Sequence, residues 1–138
     1  MVVSRQVRIE TRGCGDAVDI TESVAEQVRA SGLGSGVATL FVESSTSALT
    51  TMEFEPGVVW DLGELLGRIA PVGADYRHNL RWGDGNGHAH IRHALIGPSL
   101  VVPFVGGRLT LGTWQQVVLL EFDNRPRSRS VVVQLLGE

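Results

Sequence analysis

A chain of 138 residues with 43% hydrophobic side chains predicts one domain, residues 1–138, with a conventional core. The net charge of -3 supplies no cationic field, which argues against nucleic-acid binding by phosphate neutralisation. All 12 basic residues are arginine, which excludes Schiff-base, pyridoxal and P-loop mechanisms that need a lysine amine and leaves guanidinium forks suited to bidentate anion contacts.

Cys14 is the single cysteine, so no intrachain disulfide, cysteine-based zinc site or C-x-x-C redox pair exists, and a reduced compartment fits. Met1 to Arg5 carries no signal-type apolar core, and the apolar runs are broken well short of a bilayer span. A soluble, cytoplasmic protein without membrane contact is expected.

Val7 to Thr11 alternates apolar and polar residues, the period of a half-exposed strand. Asp19 and Glu22 have capping-box spacing, and Ile20, Val24 and Val28 continue at helical intervals to Ser31-Gly32. Gly36 to Val42 is nearly all apolar, as a strand buried on both faces would be. After the Ser44-Ser45-Thr46-Ser47 interruption a β-leaning segment runs from Ala48 to Phe54. Pro56 then opens a helix bearing Val59, Leu62, Leu66 and Ile69, which Pro71 ends. Residues 71–87 are rich in Gly, Asp and Asn and read as a long loop of the kind that carries function. Strands follow near residues 100–102, 108–111, 116–122 and 130–135, joined by turns at Gly106-Gly107 and Asn124-Arg125-Pro126. Helices early and antiparallel strands late predict an α+β fold.

All four histidines, His78, His88, His90 and His93, fall in one stretch beside Asp84 and Asn86. Imidazole binds transition metals and moves protons near neutral pH, so the cluster marks the candidate site. If the segment is extended, His88 and His90 point the same way and can share one ion with His78. If it is helical they diverge, and His90 with His93 is the pair. Nitrogen ligands with an open position suit zinc or a similar divalent ion. A cupin site is rejected on spacing: Trp82 stands where its glycine belongs, and no glutamate follows His90 at three or four residues.

Thr113, Trp114 and Gln115 offer hydrogen-bonding groups and a stacking face for a flat heterocycle, unless Trp114 packs in the core. Glu53 is a candidate to orient a ligand or act as a base. Arg125, Arg127 and Arg129 alternate, either to hold phosphate or to be solvated or paired with carboxylates.

From Ser99-Leu100-Val101-Val102-Pro103 through Gly107-Arg108-Leu109 to Gly112-Thr113-Trp114-Gln115, and on to Val131-Val132-Val133-Gln134, the chain resembles the YjbQ-like family, named secondary thiamine-phosphate synthase. Tyr76 with His78, and the His90-Ile91-Arg92 triplet, add to the likeness, which extends over nearly the whole chain. The resemblance implies a YjbQ-like α+β fold, an antiparallel β-sandwich-like core with two to three helices, assembled as a homotrimer with sites near subunit contacts. It implies a transferase that joins a pyrimidine diphosphate to a thiazole phosphate and releases pyrophosphate. On that reading Glu53, Arg92 and Gln115 are catalytic. Ser44, Thr46, Asn86, Thr113 and Trp114 bind a phosphorylated or heterocyclic substrate, and His78, His88 and His90 hold a divalent metal, zinc or magnesium. Many members carry a histidine where this chain has Ser44 and an asparagine where it has Met52. His88 is therefore expected to complete a rearranged site. The alternative is a non-catalytic metal- or small-anion-binding trimer.

Overall fold

The structure, a computed structural model, describes residues 1–138. Its elements are β1 (Val2–Glu10), β2 (Ala17–Asp19), α1 (Thr21–Ser31), β3 (Ser35–Val42), β4 (Ser47–Met52), α2 (Pro56–Ile69), α3 (Arg77–Trp82), α4 (Gly87–Ile96), β5 (Ser99–Val105), β6 (Arg108–Leu109), β7 (Gln116–Glu121) and β8 (Ser128–Gly137). A five-stranded antiparallel sheet runs β1-β8-β3-β5-β6, and a three-stranded one runs β2-β7-β4.

Strand alternation explains the layering. Ala38, Leu40 and Val42 of β3, Val102 and Phe104 of β5, and Val131, Val133 and Leu135 of β8 share one face of the larger sheet, where they meet Leu49, Val117 and Leu119 of the smaller sheet. The other face of the smaller sheet, through Ala48, Val118 and Leu120, packs against Leu66 of α2 and Ala89 of α4. The result is sheet, sheet, helices, in that order. The expected α+β sandwich is present, with four helices rather than two to three. No helix is long and apolar enough to cross a membrane.

α1 starts beside Asp19, but without the capping box. Asp19 accepts from Thr21 N at 3.0 Å and Thr21 Oγ1 at 2.6 Å, and Glu22 instead pairs with Arg29 along the helix at 2.6 Å. Val24 and Val28 seat α1 on the core, and Gly32 ends it in the left-handed region. α2 begins at Pro56 as the sequence predicts, with the Glu55 carboxylate accepting from Gly57 N and Val58 N. The β5–β6 turn places Gly106 and Gly107 at φ of 58° and 70°, which a two-residue hairpin of this hand demands.

Two expectations are corrected. β3 is buried on one face only, because Phe41 on the opposite face remains 45% exposed; β7 is the strand covered from both sides. The segment expected to be a long loop contains the short helix α3, and α4 begins at its end, at Gly87.

Candidate metal centre

Close approach of two short helices builds the site. A Cβ placed on Gly87 would lie 2.5 Å from the Tyr76 Cβ, so a glycine is required for the first turn of α4 to meet the residue preceding α3. Gly87 N donates to Asn79 Oδ1 at 2.9 Å, and Asn124 ties the intervening loop to the end of β7 by donating to Asp84 O at 2.8 Å. These bonds fix His78 on α3 beside His90 on α4, with ring centroids 4.4 Å apart. Asp84, from the loop between them, brings Oδ1 to 3.1 Å from His78 Nε2. One ligand atom from each of His78, Asp84 and His90 falls within 4.8 Å of the others.

Their protonation suits a cation. The backbone N–H of Asn86, donating to Asp84 at 3.1 Å, together with His78 holds the Asp84 carboxyl below the usual carboxylate range. Burial, reinforced by the neighbouring His78, pushes the His90 imidazole pKa down, which favours its neutral form. Neutral imidazole and ionised carboxylate are the forms a divalent ion requires. Ligand atoms around tetrahedral zinc lie about 3.4 Å apart, a spacing the His78–Asp84 pair already meets, while the His90 ligand atom lies within 4.8 Å of both. Two nitrogens and one oxygen fit zinc better than magnesium, which prefers an all-oxygen shell. The His78 and Asp84 side chains remain 28% and 44% exposed, so further ligand positions face solvent.

His88 does not belong to this group. Because residues 87–96 are helical, His88 and His90 diverge by about 200° around the axis. His88 is fully buried; its Nε2 donates to Phe122 O at 2.9 Å and its Nδ1 has no partner. It therefore does not compensate for the absent histidine at Ser44. Asp84 stands as the third candidate ligand, a role the sequence reading did not give it although it noted its position. His93 donates from Nδ1 to Ser47 O at 2.6 Å, pinning α4 to β4.

The other candidates divide by location. Ser44 lies in the turn before β4, where its Oγ accepts from Thr46 N at 3.0 Å; Ser45 of that turn neighbours the His90 imidazole. Thr46 is buried, donating to Asp123 at 3.0 Å and accepting from Arg129 at 2.8 Å, so its hydroxyl is not free for substrate. Asn86 is likewise buried and accepts from Asn124 N at 3.1 Å, a structural role. Arg127 and Arg129 pair with Asp123 at 2.9 Å and Glu121 at 2.5 Å instead of forming a phosphate cradle. Arg92 follows His90 by two residues and faces the opposite side of α4, with Nε donating to Ala70 O at 3.0 Å.

Glu53, Thr113, Trp114 and Gln115 gather elsewhere. Gln115 Nε2 donates to Thr51 Oγ1 at 3.1 Å, next to the Met52–Gln116 pair that ends the β4–β7 ladder. The histidines sit by Ser47, at the other end of β4, about 17 Å away along the strand. Trp114 is 72% exposed and packs in no core. Within the chain the candidate ligands His78, Asp84 and His90 and the Glu53–Trp114–Gln115 group do not line one cavity.

The model of the family described as UPF0047 protein YjbQ-like matches residues 5–138. The chain belongs to the YjbQ/UPF0047 family. A UPF0047 protein of Archaeoglobus fulgidus is 35% identical over 131 residues, covering 95% of this chain and 99% of that protein. A UPF0047 protein of Synechocystis is 41% identical over 113 residues, covering 80% and 76%. Among solved structures, a YbjQ-like protein of unknown function from Sulfolobus solfataricus superposes with a TM-score of 0.92 at 32% identity, covering 100% of this chain and 99% of that one. The family fold therefore accounts for the sandwich and the helices that frame the histidines.

Proposed function

We propose that the protein is a metal-dependent transferase of the secondary thiamine-phosphate synthase type, acting on a pyrimidine diphosphate and a thiazole phosphate. The observation that carries this reading is the convergence of His78, Asp84 and His90 within 4.8 Å on elements that are otherwise tightly tied together. A divalent ion held there would supply positive charge to the oxygens of a diphosphate. In the reaction the pyrimidine carbon gains a bond to the thiazole as its carbon–oxygen bond breaks, and pyrophosphate leaves with the electron pair. His78 and Asp84 hold each other in orientation, and Ser45, next to Ser44 in the chain, neighbours the His90 imidazole. Trp114 presents an exposed ring on which a heterocycle can stack, and Gln115, held by Thr51, can hydrogen-bond its edge. Glu53 remains the candidate base.

Because Glu53, Trp114 and Gln115 stand at the far end of β4, this reading requires a homotrimer in which a neighbouring copy presents them to the histidines. Turnover measured with both substrates, with and without added zinc or magnesium, tests it. The expected result is metal-dependent pyrophosphate release that His90→Ala lowers at least a hundredfold, and metal-independent or absent release rejects it.

The same strand-length separation favours a second reading, a metal- or small-anion-binding protein without turnover. Metal binding in the absence of pyrophosphate release would select it.

A further inference from the structure

The side of α4 turned away from His90 carries a second chemistry. Arg92 is only 6% exposed, yet no carboxylate of the chain pairs with it, because Glu121 is taken by Arg129 and Asp123 by Arg127. Its Nε donates to Ala70 O, while its remaining N–H groups have no oxygen acceptor. The Cys14 thiol and the Phe122 ring, whose centroid is 5.8 Å away, are its other neighbours. The terminal nitrogens of this largely buried guanidinium are not sealed off, so they can donate charge-assisted hydrogen bonds to an anion that enters beside them.

Such an anion has a place to sit. Arg92 lines a narrow cleft between α2 and β7 that is open to solvent, whose walls are Met52, Val59, Leu62, Leu66 and Leu120. The cavity opens past Gly15 and Val59 onto the grooves flanking it. Two carboxylates, Asp16 and Glu121, also line it. Asp16 is held by Arg12 at 3.3 Å and by Arg12 N at 2.9 Å, and Glu121 by Arg129. Their charge disfavours a polyanion such as diphosphate, whereas one negative charge on an apolar body matches both the single guanidinium and the aliphatic walls.

We propose that this cavity is a binding site for a monocarboxylate with an apolar body, its carboxylate paired with Arg92 and its hydrocarbon part between Val59, Leu62 and Leu66. The site is separate from the metal centre and independent of the transfer reaction. It uses the face of α4 that the histidine ligands do not.

Hexanoate is a suitable probe, with hexanol and inorganic phosphate as controls, titrated into the full chain while the methyl resonances of Val59, Leu62 and Leu66 are followed. Hexanoate is expected to shift these resonances saturably, at least tenfold more tightly than hexanol or phosphate, and equally well in His90→Ala. Arg92→Gln should weaken it at least tenfold. Since removing Arg92 can also loosen the fold, Gly63→Leu is a second variant. An ideal Cβ at Gly63 meets no atom within 4 Å, and the residue lines the cavity, so the added side chain should block binding without lowering Tm. Equal affinity for hexanol, tighter binding of phosphate, unchanged affinity in folded Gly63→Leu, or no saturable shift up to millimolar hexanoate would each overturn the proposal.

Discussion

His88 shows how one side chain is moved from chemistry to architecture by the helix that carries it. Burial holds its imidazole pKa below the ordinary value of 6.5, so the folded protein keeps it neutral. In the unfolded chain the same group takes up a proton as pH falls below about 6.5, so its contribution is fully present above that value and is lost toward the lower, folded pKa. His90 is shifted in the same direction and adds to the trend. Thermal unfolding of the metal-free protein should therefore show Tm falling between about pH 7.5 and pH 5.5. His88→Gln, less stable at neutral pH because a buried donor is displaced, should lose less Tm over that interval. A variant with the wild-type pH slope would show that His88 is not the buried neutral group.

Among the elements, the end of β7 and the start of β8 are held by a network buried beneath the candidate site. Glu121, fully buried, accepts from Arg129 Nε at 2.7 Å and from Thr11 Oγ1 at 2.7 Å; Asp123, also buried, accepts from Thr46 and Arg127. Arg129→Ala would strand the Glu121 charge and should cost about 3–5 kcal/mol in urea unfolding. A loss under about 1 kcal/mol would mean the pair behaves as a solvated surface bridge.

This network was not legible in the sequence, where alternating arginines look alike whether paired or solvated. α1 and α2 were legible because their apolar residues keep a helical period and Pro56 and Gly32 mark their ends. α4 was not, because its buried face is occupied by His88 and Arg92, which break the apolar period, and its first residue is a glycine. The sequence left Gly87 to Ala94 open between an extended and a helical register, and the ligand set of His78, His88 and His90 followed the extended one, which left Asp84 out. β7 was recognisable as a strand from its apolar run, although that run alone does not tell which sheet covers which side.

At the scale of the molecule, the larger sheet leaves one face unpartnered. Phe41 of β3, Val101 and Val105 of β5 and Leu136 of β8 stand on it, 45%, 63%, 65% and 55% exposed. β8 itself is central, lying between β1 and β3, so an open edge is not what calls for an assembly; this apolar face is. Light scattering at micromolar concentration should give the mass of a trimer, and Val101→Asp together with Val105→Asp should shift it to the monomer. A wild-type monomer would remove the means of bringing Trp114 and Gln115 to the histidines.

The proposed metal centre requires His78, Asp84 and His90 to act together. Competition titration of zinc against a chromophoric chelator, run on the wild type, Asp84→Ala, His90→Ala and His88→Gln at neutral pH, measures it directly. Removing Asp84 or His90 should weaken zinc by more than about a hundredfold, while His88→Gln should bind zinc within a few fold of the wild type. Zinc lost in His88→Gln but kept in Asp84→Ala would contradict the site, as would a wild type that takes up no zinc.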